Sequence, residues 1–472
     1  MSAASRHRGD CREGQLPESS KLAVVGCGHV GTVTAACFAE LGHAVAGIDI
    51  DEALIHGLKN FAIPFIEPGL QDLFERNAVS GRLRFTTSYE DALEGAEFVF
   101  LCVNTPATIT GAADLRYVRK AVGQIAEVVS RSNSRPVIVN RSTSPIGTEE
   151  TIDAILSRSF AKAETKPIIA ANPEFTREGS AVHDFFNPER IIVGADHAED
   201  ARRVAALYEG IEAPRVLTDI RTAEMIKYVS NAFLATKVSF INEIARLCER
   251  LGVDVDVVAQ AAALDPRIGG QYFRPGVGYG GSCLPKDVAA LYHTGESVGL
   301  TMRLLSSVQD VNISQRKHVV NSIRAIMGPL EGLTIAAWGV TFKSGSEDLR
   351  ESPAVDIIGL LRNEGAHVRV YDPSLREDVN LPIADRVCKG ALDAAQDADC
   401  VAILTDWPEF AHVNLHQLRS VMKGDLLYDG RDMLDRAAVE AAGFEYCGVG
   451  RSATGFRAPN GRNGRAGAEV PK

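Results

Sequence analysis

The stretch Lys21 to Asp51, KLAVVGCGHVGTVTAACFAELGHAVAGIDID, constrains the fold more than any other part of the chain. A short β-branched run leads straight into glycines, then into a helix-forming segment, then into a second apolar run that ends in acid. Gly26, Gly28 and Gly31 give the spacing G-x-G-x-x-G at the strand-to-helix turn, with His29 and Val30 between the last two glycines and expected beside the cofactor. Gly26 permits the tight turn, Gly28 admits a pyrophosphate, and Gly31 lets the helix lie close to the sheet. The amide groups of the helix N-terminus then face the phosphates. Asp49 closes the second run about 20 residues on, where a carboxylate binds a ribose 2′-hydroxyl and repels a 2′-phosphate. The segment therefore predicts a doubly wound domain that takes NAD in preference to NADP.

Further β-rich runs follow near residues 84, 100, 138, 169 and 192, several separated by helical sequence, which predicts a parallel α/β sheet. Thr105 and Thr143 follow strand ends, the side on which such sheets bind ligands. Glu174 and Glu178, in NPEFTREG, also follow a strand end; four residues apart, they are expected on one helix face. Residues 222–251 contain no glycine or proline and predict one helix of about 45 Å, a spine between domains and between subunits. Lys227 and Asn231 project together from it. A second α/β unit starts near Gly332. Phe342, Lys343, Arg350 and Arg431 follow strand ends there, but no complete glycine fingerprint recurs, so this half is expected to hold part of a substrate.

The segment FRPGVGYGGSCLPKD, Phe273 to Asp287, carries the strongest chemical signal. Its glycines, Gly276 and Gly280 among them, allow close approach of the backbone to a ligand. Cys283 stands where the loop gives way to helix, beside Lys286 and Asp287. Backbone amides and an ammonium there favour a thiolate. A buried structural thiol is the alternative, and the flanking charges weigh against it.

Composition excludes several classes. With 50 Lys and Arg against 61 Asp and Glu, the net charge of −11 offers no basic excess for nucleic acid or an anionic membrane. No apolar run reaches the roughly 18 residues of a membrane span. The nine cysteines show neither CxxC pairs nor metal-ligand spacing, so no metal is expected and a reducing, cytoplasmic setting is. Residues 1–20 and 452–472 are polar or glycine-rich and are expected to be disordered tails.

From about residue 20 to 450 the chain resembles the nucleotide-sugar dehydrogenases, the UDP-glucose/GDP-mannose dehydrogenase family, in its UDP-glucose branch. The matching stretches are VVGCGHVG, IPFIEPGL, VNTP, RSTSPIG, NPEFTREG, AEMIKYVSNAF, RIGGQYFRPGVGYGGSCLPKD, FKSGSEDLRES and YDGRD. The resemblance implies an NAD-binding Rossmann domain at 21–215, a helical dimerisation region with the cysteine loop at 216–325, and a Rossmann-like UDP-sugar domain at 326–451. It implies a homodimer that oxidises UDP-glucose. It casts Cys283 as nucleophile, Lys227 and Asp287 as its assistants, Glu174 as the hydrolytic base, and Asn231 and Thr143 as holders of the reacting oxygen. Phe175, Thr176, Tyr272, Arg274, Gly276, Gly280, Phe342, Lys343 and Arg431 join Glu174, Lys227 and Asn231 around the substrate, with Arg267 reaching a partner's site. Thr105, Thr143, Glu178, Lys286 and Arg350 serve the cofactor. GDP-mannose is the runner-up substrate. A sensor that binds NAD and a nucleotide sugar without turnover is the alternative of a different class. Oxidation of a primary alcohol to an acid removes four electrons, and a thiol with a hydrolytic base is what that reaction needs beyond a simple alcohol dehydrogenase.

Overall fold

The computed structural model describes residues 19–451 apart from 107, 109, 110, 133, 162–164, 377, 378 and 380. The tails expected at 1–20 and 452–472 lie outside the described residues, save for 19 and 20. The chain divides into two compact units. One comprises residues up to Pro106 together with Ala113–Lys227, the other Ala107–Ala112 and the chain from Tyr228 on.

The first unit is built on an eight-stranded sheet of β1 (Lys21–Val25), β2 (Ala44–Ile48), β3 (Leu83–Thr86), β4 (Phe98–Leu101), β5 (Val137–Asn140), β6 (Ile168–Ala171), β7 (Ile191–Ala195) and β8 (Arg215–Thr218). Its order is β3-β2-β1-β4-β5-β6-β7-β8. In the central strands Leu22, Ala23, Val24 and Val25 of β1 and all four residues of β4 are apolar and buried because both faces are covered. Leu22, Val24 and Phe100 pack on one side with Phe38 of the fingerprint helix His29–Glu40, while Ala23, Val25, Val99 and Leu101 point into the core of the other side. Strand order reverses between β1 and β4, so the ligand crevice opens at their carboxyl ends, beside the fingerprint turn.

The expectation of a wholly parallel sheet needs one correction. β7 runs antiparallel to β6, with Ala171 opposite Gly194, and β8, an exposed edge strand, then pairs parallel to β7. A second correction concerns Glu174 and Glu178. The segment 172–178 is an irregular loop, so the two glutamates share no helix face. Its buried Asn172 binds the carbonyl of Ile192 and the Arg141 guanidinium, and this side-chain pairing holds the chain where no helix could begin.

The second unit has a six-stranded parallel sheet of β9 (Thr334–Trp338), β10 (His367–Tyr371), β11 (Arg386–Val387), β12 (Cys400–Ile403), β13 (Leu426–Asp429) and β14 (Glu445–Gly448), ordered β11-β10-β9-β12-β13-β14. It repeats the reversal of a dinucleotide domain, with β9 and β12 flanking the crevice. After β9 there is no fingerprint but a single pinched glycine. Gly339 has φ 90°, and a Cβ on it would lie 2.3 Å from that of Thr405.

The spine helix, Ile220–Leu251, runs unbroken for 32 residues, or about 48 Å. Among the described residues no helix is long and apolar enough to cross a membrane.

Candidate active site

In the first unit the fingerprint turn has the geometry a dinucleotide needs. Gly26 adopts φ 95°, and a Cβ there would lie 2.7 Å from the carbonyl oxygen of Cys102 at the end of β4. A Cβ on Gly31 would sit 1.7 Å from the Gly26 carbonyl oxygen, so only glycine lets the helix start this close to the turn. At Gly28 a Cβ would meet nothing within 4 Å; the space in front of the turn is left open. Gly28 is also the N-cap, and no side chain caps the amides of the first turn. Those N–H groups are thus available to a pyrophosphate. Asp49 is fixed by the N–H groups of Cys27 at 2.8 Å and Asp51 at 3.1 Å, a carboxylate held beside the turn for a ribose hydroxyl. These residues fit NAD.

His29, in the first turn of the helix, is held by an acid from outside the fingerprint. Its ring meets the buried carboxylate of Glu67 at 2.8 Å, which also accepts the N–H groups of Gly179 at 2.8 Å and Ala181 at 2.7 Å. Glu67 thereby ties the IPFIEPGL stretch to the fingerprint helix and to the backbone next to Glu178. Sequence reasoning missed this hub, although the isolated acid between two prolines, Pro64 and Pro68, was its signal.

Glu174, Phe175, Thr176 and Lys227 come together. Lys227 is buried, and its ammonium donates to Glu174 Oε1 at 3.0 Å. Thr176 donates both its N–H and its hydroxyl to Glu174 Oε2, each at 2.7 Å. The ammonium also lies 5.2 Å from the centre of the Phe175 ring. Burial pushes the Glu174 carboxyl up, but the Lys227 charge and the Thr176 and Lys227 hydrogen bonds outweigh it and hold the group at about 2. A buried lysine paired in this way is not the solvated helix-edge residue that its sequence position also allowed. Thr105 donates its hydroxyl to the backbone carbonyl of Thr143 at 2.5 Å, so the two strand-end threonines are joined directly.

Among the described cysteines of the second unit Cys283 is exposed, while Cys248, Cys388, Cys400 and Cys447 are buried. Cys283 is the N-cap of the helix Leu284–Ser297, with its sulfur 3.6 Å from the Ser282 hydroxyl. One turn on, the fully buried Asp287 accepts from the Asn231 amide and the Lys286 ammonium, each at 2.6 Å. Because Asp287 takes the N–H₂ side of Asn231, it fixes which way that amide faces.

The loop before Cys283 explains its glycines in an unexpected way. A Cβ on Gly280 would meet the Glu351 carbonyl oxygen at 2.3 Å, and one on Gly281 the Phe342 ring at 2.7 Å. The close approach is to the chain's own backbone and rings. Buried amides clamp the loop: Asn242 accepts from Gly276 N–H at 2.8 Å, Asn312 pairs with both backbone groups of Tyr279, and Gln315 donates to the Gly276 carbonyl at 2.9 Å. None of the three stood out in the sequence, where each is one polar residue on an amphipathic helix.

Arg431 donates to the carbonyls of Leu404 and Phe342, both at 3.0 Å, stitching the ends of β12 and β9, and the Lys343 ammonium stands 5.5 Å from the Phe342 ring centre. Tyr272 holds a left-handed φ of 59° just before the loop. Arg274 is largely exposed, 3.7 Å from Asp432. The carbonyl of Arg350 accepts the N–H of Gly281 in the cysteine loop at 3.2 Å, while the guanidinium groups of Arg267 and Arg350 lie outward. Each pairs with an aspartate two residues earlier, Asp265 and Asp348, and faces solvent.

Comparison with known proteins is consistent from residue 20 to residue 436. Residues 20–212 match the profile of the NAD binding domain of the UDP-glucose/GDP-mannose dehydrogenase family, 221–314 its central domain and 336–436 its UDP binding domain. A UDP-glucose 6-dehydrogenase of Bacillus subtilis, TuaD, is 41% identical over 435 residues, covering 92% of this chain and 94% of that protein. One from Rhizobium meliloti is 39% identical over 439 residues, covering 91% and 99%. Among solved structures, a UDP-glucose dehydrogenase from Pyrobaculum islandicum superposes with a TM-score of 0.86 at 35% identity, over 94% of this chain and all of the other.

Proposed function

Since the chain belongs to the UDP-glucose/GDP-mannose dehydrogenase family and is an NAD-dependent oxidoreductase, we propose that it oxidises the C6 alcohol of UDP-glucose to the carboxylate of UDP-glucuronate. NAD, when bound at the fingerprint turn, supplies the hydride acceptor, and the four-electron change consumes two. The observation that carries the reading is Cys283, an exposed thiol at a helix N-terminus, which alcohol oxidation alone does not require.

The chain's residues then act as follows. Loss of a hydride from C6 to the first NAD and of the hydroxyl proton to solvent leaves the aldehyde, to whose carbon the Cys283 thiolate adds, forming a C–S bond while the carbonyl electron pair moves to oxygen. Lys227 and the amide of Asn231, oriented by Asp287, stabilise the negative oxygen. Oxidation of this adduct leaves a thioester. Water attacks it, Glu174 takes the water's proton, and the C–S bond breaks to return the thiolate. Thr143, held through Thr105, helps place the water. Phe175, Thr176, Tyr272, Arg274, Gly276, Gly280, Phe342, Lys343 and Arg431 serve the UDP-sugar. His29, Val30, Asp49, Thr105, Glu178, Lys286 and Arg350 serve the cofactor. The functional regions are 21–215, 216–325 and 326–451, working in the cytoplasm, where thiols stay reduced.

A panel of UDP-glucose, UDP-N-acetylmannosamine and GDP-mannose, each assayed with NAD and NADP, tests this. The highest kcat/KM should fall to UDP-glucose with NAD, at two NADH per sugar. NADP should be poor because its 2′-phosphate meets the Asp49 carboxylate. A higher kcat/KM with GDP-mannose moves the substrate assignment, and equal use of NADP removes the role given to Asp49.

The protein is further proposed to work as a homodimer. Met225, Val229, Phe233, Phe240, Leu247 and Leu251 are exposed along the spine helix at spacings of four and seven, forming an apolar stripe. An uncovered stripe of that length is a self-complementary surface for a second copy, and Arg267 is the residue proposed to enter the partner's site. Sedimentation velocity should show a dimer that the double substitution Phe233→Glu, Phe240→Glu converts to folded monomer. A monomeric parent protein refutes the assignment.

A further inference from the structure

One turn before Lys227 on the spine helix stands a second buried carboxyl, Glu224, which none of the roles above employs. Its Oε2 accepts the N–H of Gly147 at 2.8 Å. Its Oε1 is buried without a hydrogen-bond partner, and so is Oε2 of Glu149, in the first turn of the helix Thr148–Ser159. Glu224 also lines a small polar cleft with Thr143, Ser144 and Lys227, together with Asn140, whose buried Oδ1 likewise lacks a partner. Two carboxylates interacting away from water cannot both remain ionised, and a single shared proton satisfies both lone oxygens at once.

We propose that Glu224 is a neutral carboxylic acid whose proton is held towards Glu149, and that this acid–carboxylate pair is a positioning device. It fastens the loop Ser142–Gly147, which carries Thr143, to the turn of the spine helix that carries Lys227. The other charged groups around the pair decide which member keeps the proton. Arg221 donates to Glu149 at 3.2 Å and pairs with Glu150, so Glu149 is the charged member; the Lys227 ammonium is taken up by Glu174. Burial and then the Glu149 charge push Glu224 from 4.5 to about 9. The native chain therefore keeps a proton that the unfolded chain releases above the ordinary carboxyl range. This contribution to stability is complete below 4.5, falls as the pH rises towards about 9, and is gone above it.

The test compares parent, Glu224→Gln and Glu224→Ala. Glutamine reproduces the geometry with nothing to titrate, because its carbonyl accepts from Gly147 and its amide donates to Glu149. Between 4.5 and about 9 the melting temperature of the parent should fall with pH relative to Glu224→Gln. Infrared spectra at neutral pH should show a carboxylic-acid C=O band that Glu224→Gln lacks. Only the kinetic arm rests on the proposed reaction. There Glu224→Ala should lower kcat with UDP-glucose on the order of tenfold while leaving its KM nearly unchanged, and Glu224→Gln should restore most of the loss. Parallel melting curves, or an infrared band that survives in Glu224→Gln, overturn the shared proton; glutamine turning over no better than alanine overturns the positioning role. A parent inactive on every sugar would fail the reaction assignment, leaving the melting and infrared results to decide the pair. Should Glu224→Ala not fold, the comparison of Glu224→Gln with parent still decides it.

Discussion

Cys283→Ser should bind UDP-glucose and NAD as the parent does, yet lose acid formation by on the order of a thousandfold or more. The reason is chemical. At neutral pH a thiol at a helix N-terminus supplies an anionic nucleophile, whereas a serine hydroxyl there stays protonated. Sulfur also leaves readily when water attacks the thioester; an alkoxide does not. The substitution is nearly isosteric at an exposed N-cap whose side chain makes no capping hydrogen bond to the helix, so little of the loss can come from folding. Calorimetry should give unchanged affinities, and intact-protein mass spectrometry during turnover should show no covalent adduct. Acid production by Cys283→Ser at the parent's rate would sink the covalent mechanism.

Much of the fold could be read because local pattern and tertiary environment agree. After its exposed Lys21, KLAVV is as apolar as FVFL because β1 and β4 are covered on both faces, and GCGHVG has Gly26 and Gly31 where the turn lacks room for a Cβ. What the pattern lacked was direction and edges. KPIIAAN and RIIVG were recognisable as strands, but the connection between them is long enough for a parallel crossover or an antiparallel return, and an apolar run carries no polarity of its own. The two-residue β11 has no period to detect, and β8 is exposed at the rim.

The site was legible where chemistry forces unusual residues into one stretch. Cys283, Lys286 and Asp287 lie together in sequence, and the structure adds that Asp287 reaches Asn231 on the spine helix. It was illegible where a group matters through a distant neighbour. Glu224 reads as one more acid on an amphipathic helix, and Glu149 as ordinary first-turn acid. Only folding takes Glu224 out of water and next to Glu149. The loop glycines show the same limit in reverse: their need for space was plain, but the Phe342 ring and the Glu351 carbonyl as the occupants were not.

Glu174→Gln should separate the oxidation steps from hydrolysis. As paired, Glu174 is a carboxylate held at about 2, which makes it a weak base. In the proposed hydrolysis, Lys227 turning to the negative oxygen of the reacting carbon would remove the charge that holds Glu174 low and so raise its basicity when the water must lose its proton. Glutamine keeps a single acceptor oxygen, for Thr176 or for Lys227 but not for both, and cannot take up that proton. The variant should give a first burst of NADH, then slow by about a hundredfold or more, the usual worth of a positioned base. The acyl group should accumulate on Cys283, visible as a mass adduct that the parent never builds up. Loss of a charged partner beside a buried ammonium costs about 3–5 kcal/mol, so circular dichroism must first confirm that the variant is folded. A folded Glu174→Gln that is slow from its first turnover and carries no adduct would place Glu174 in the first oxidation instead of in hydrolysis.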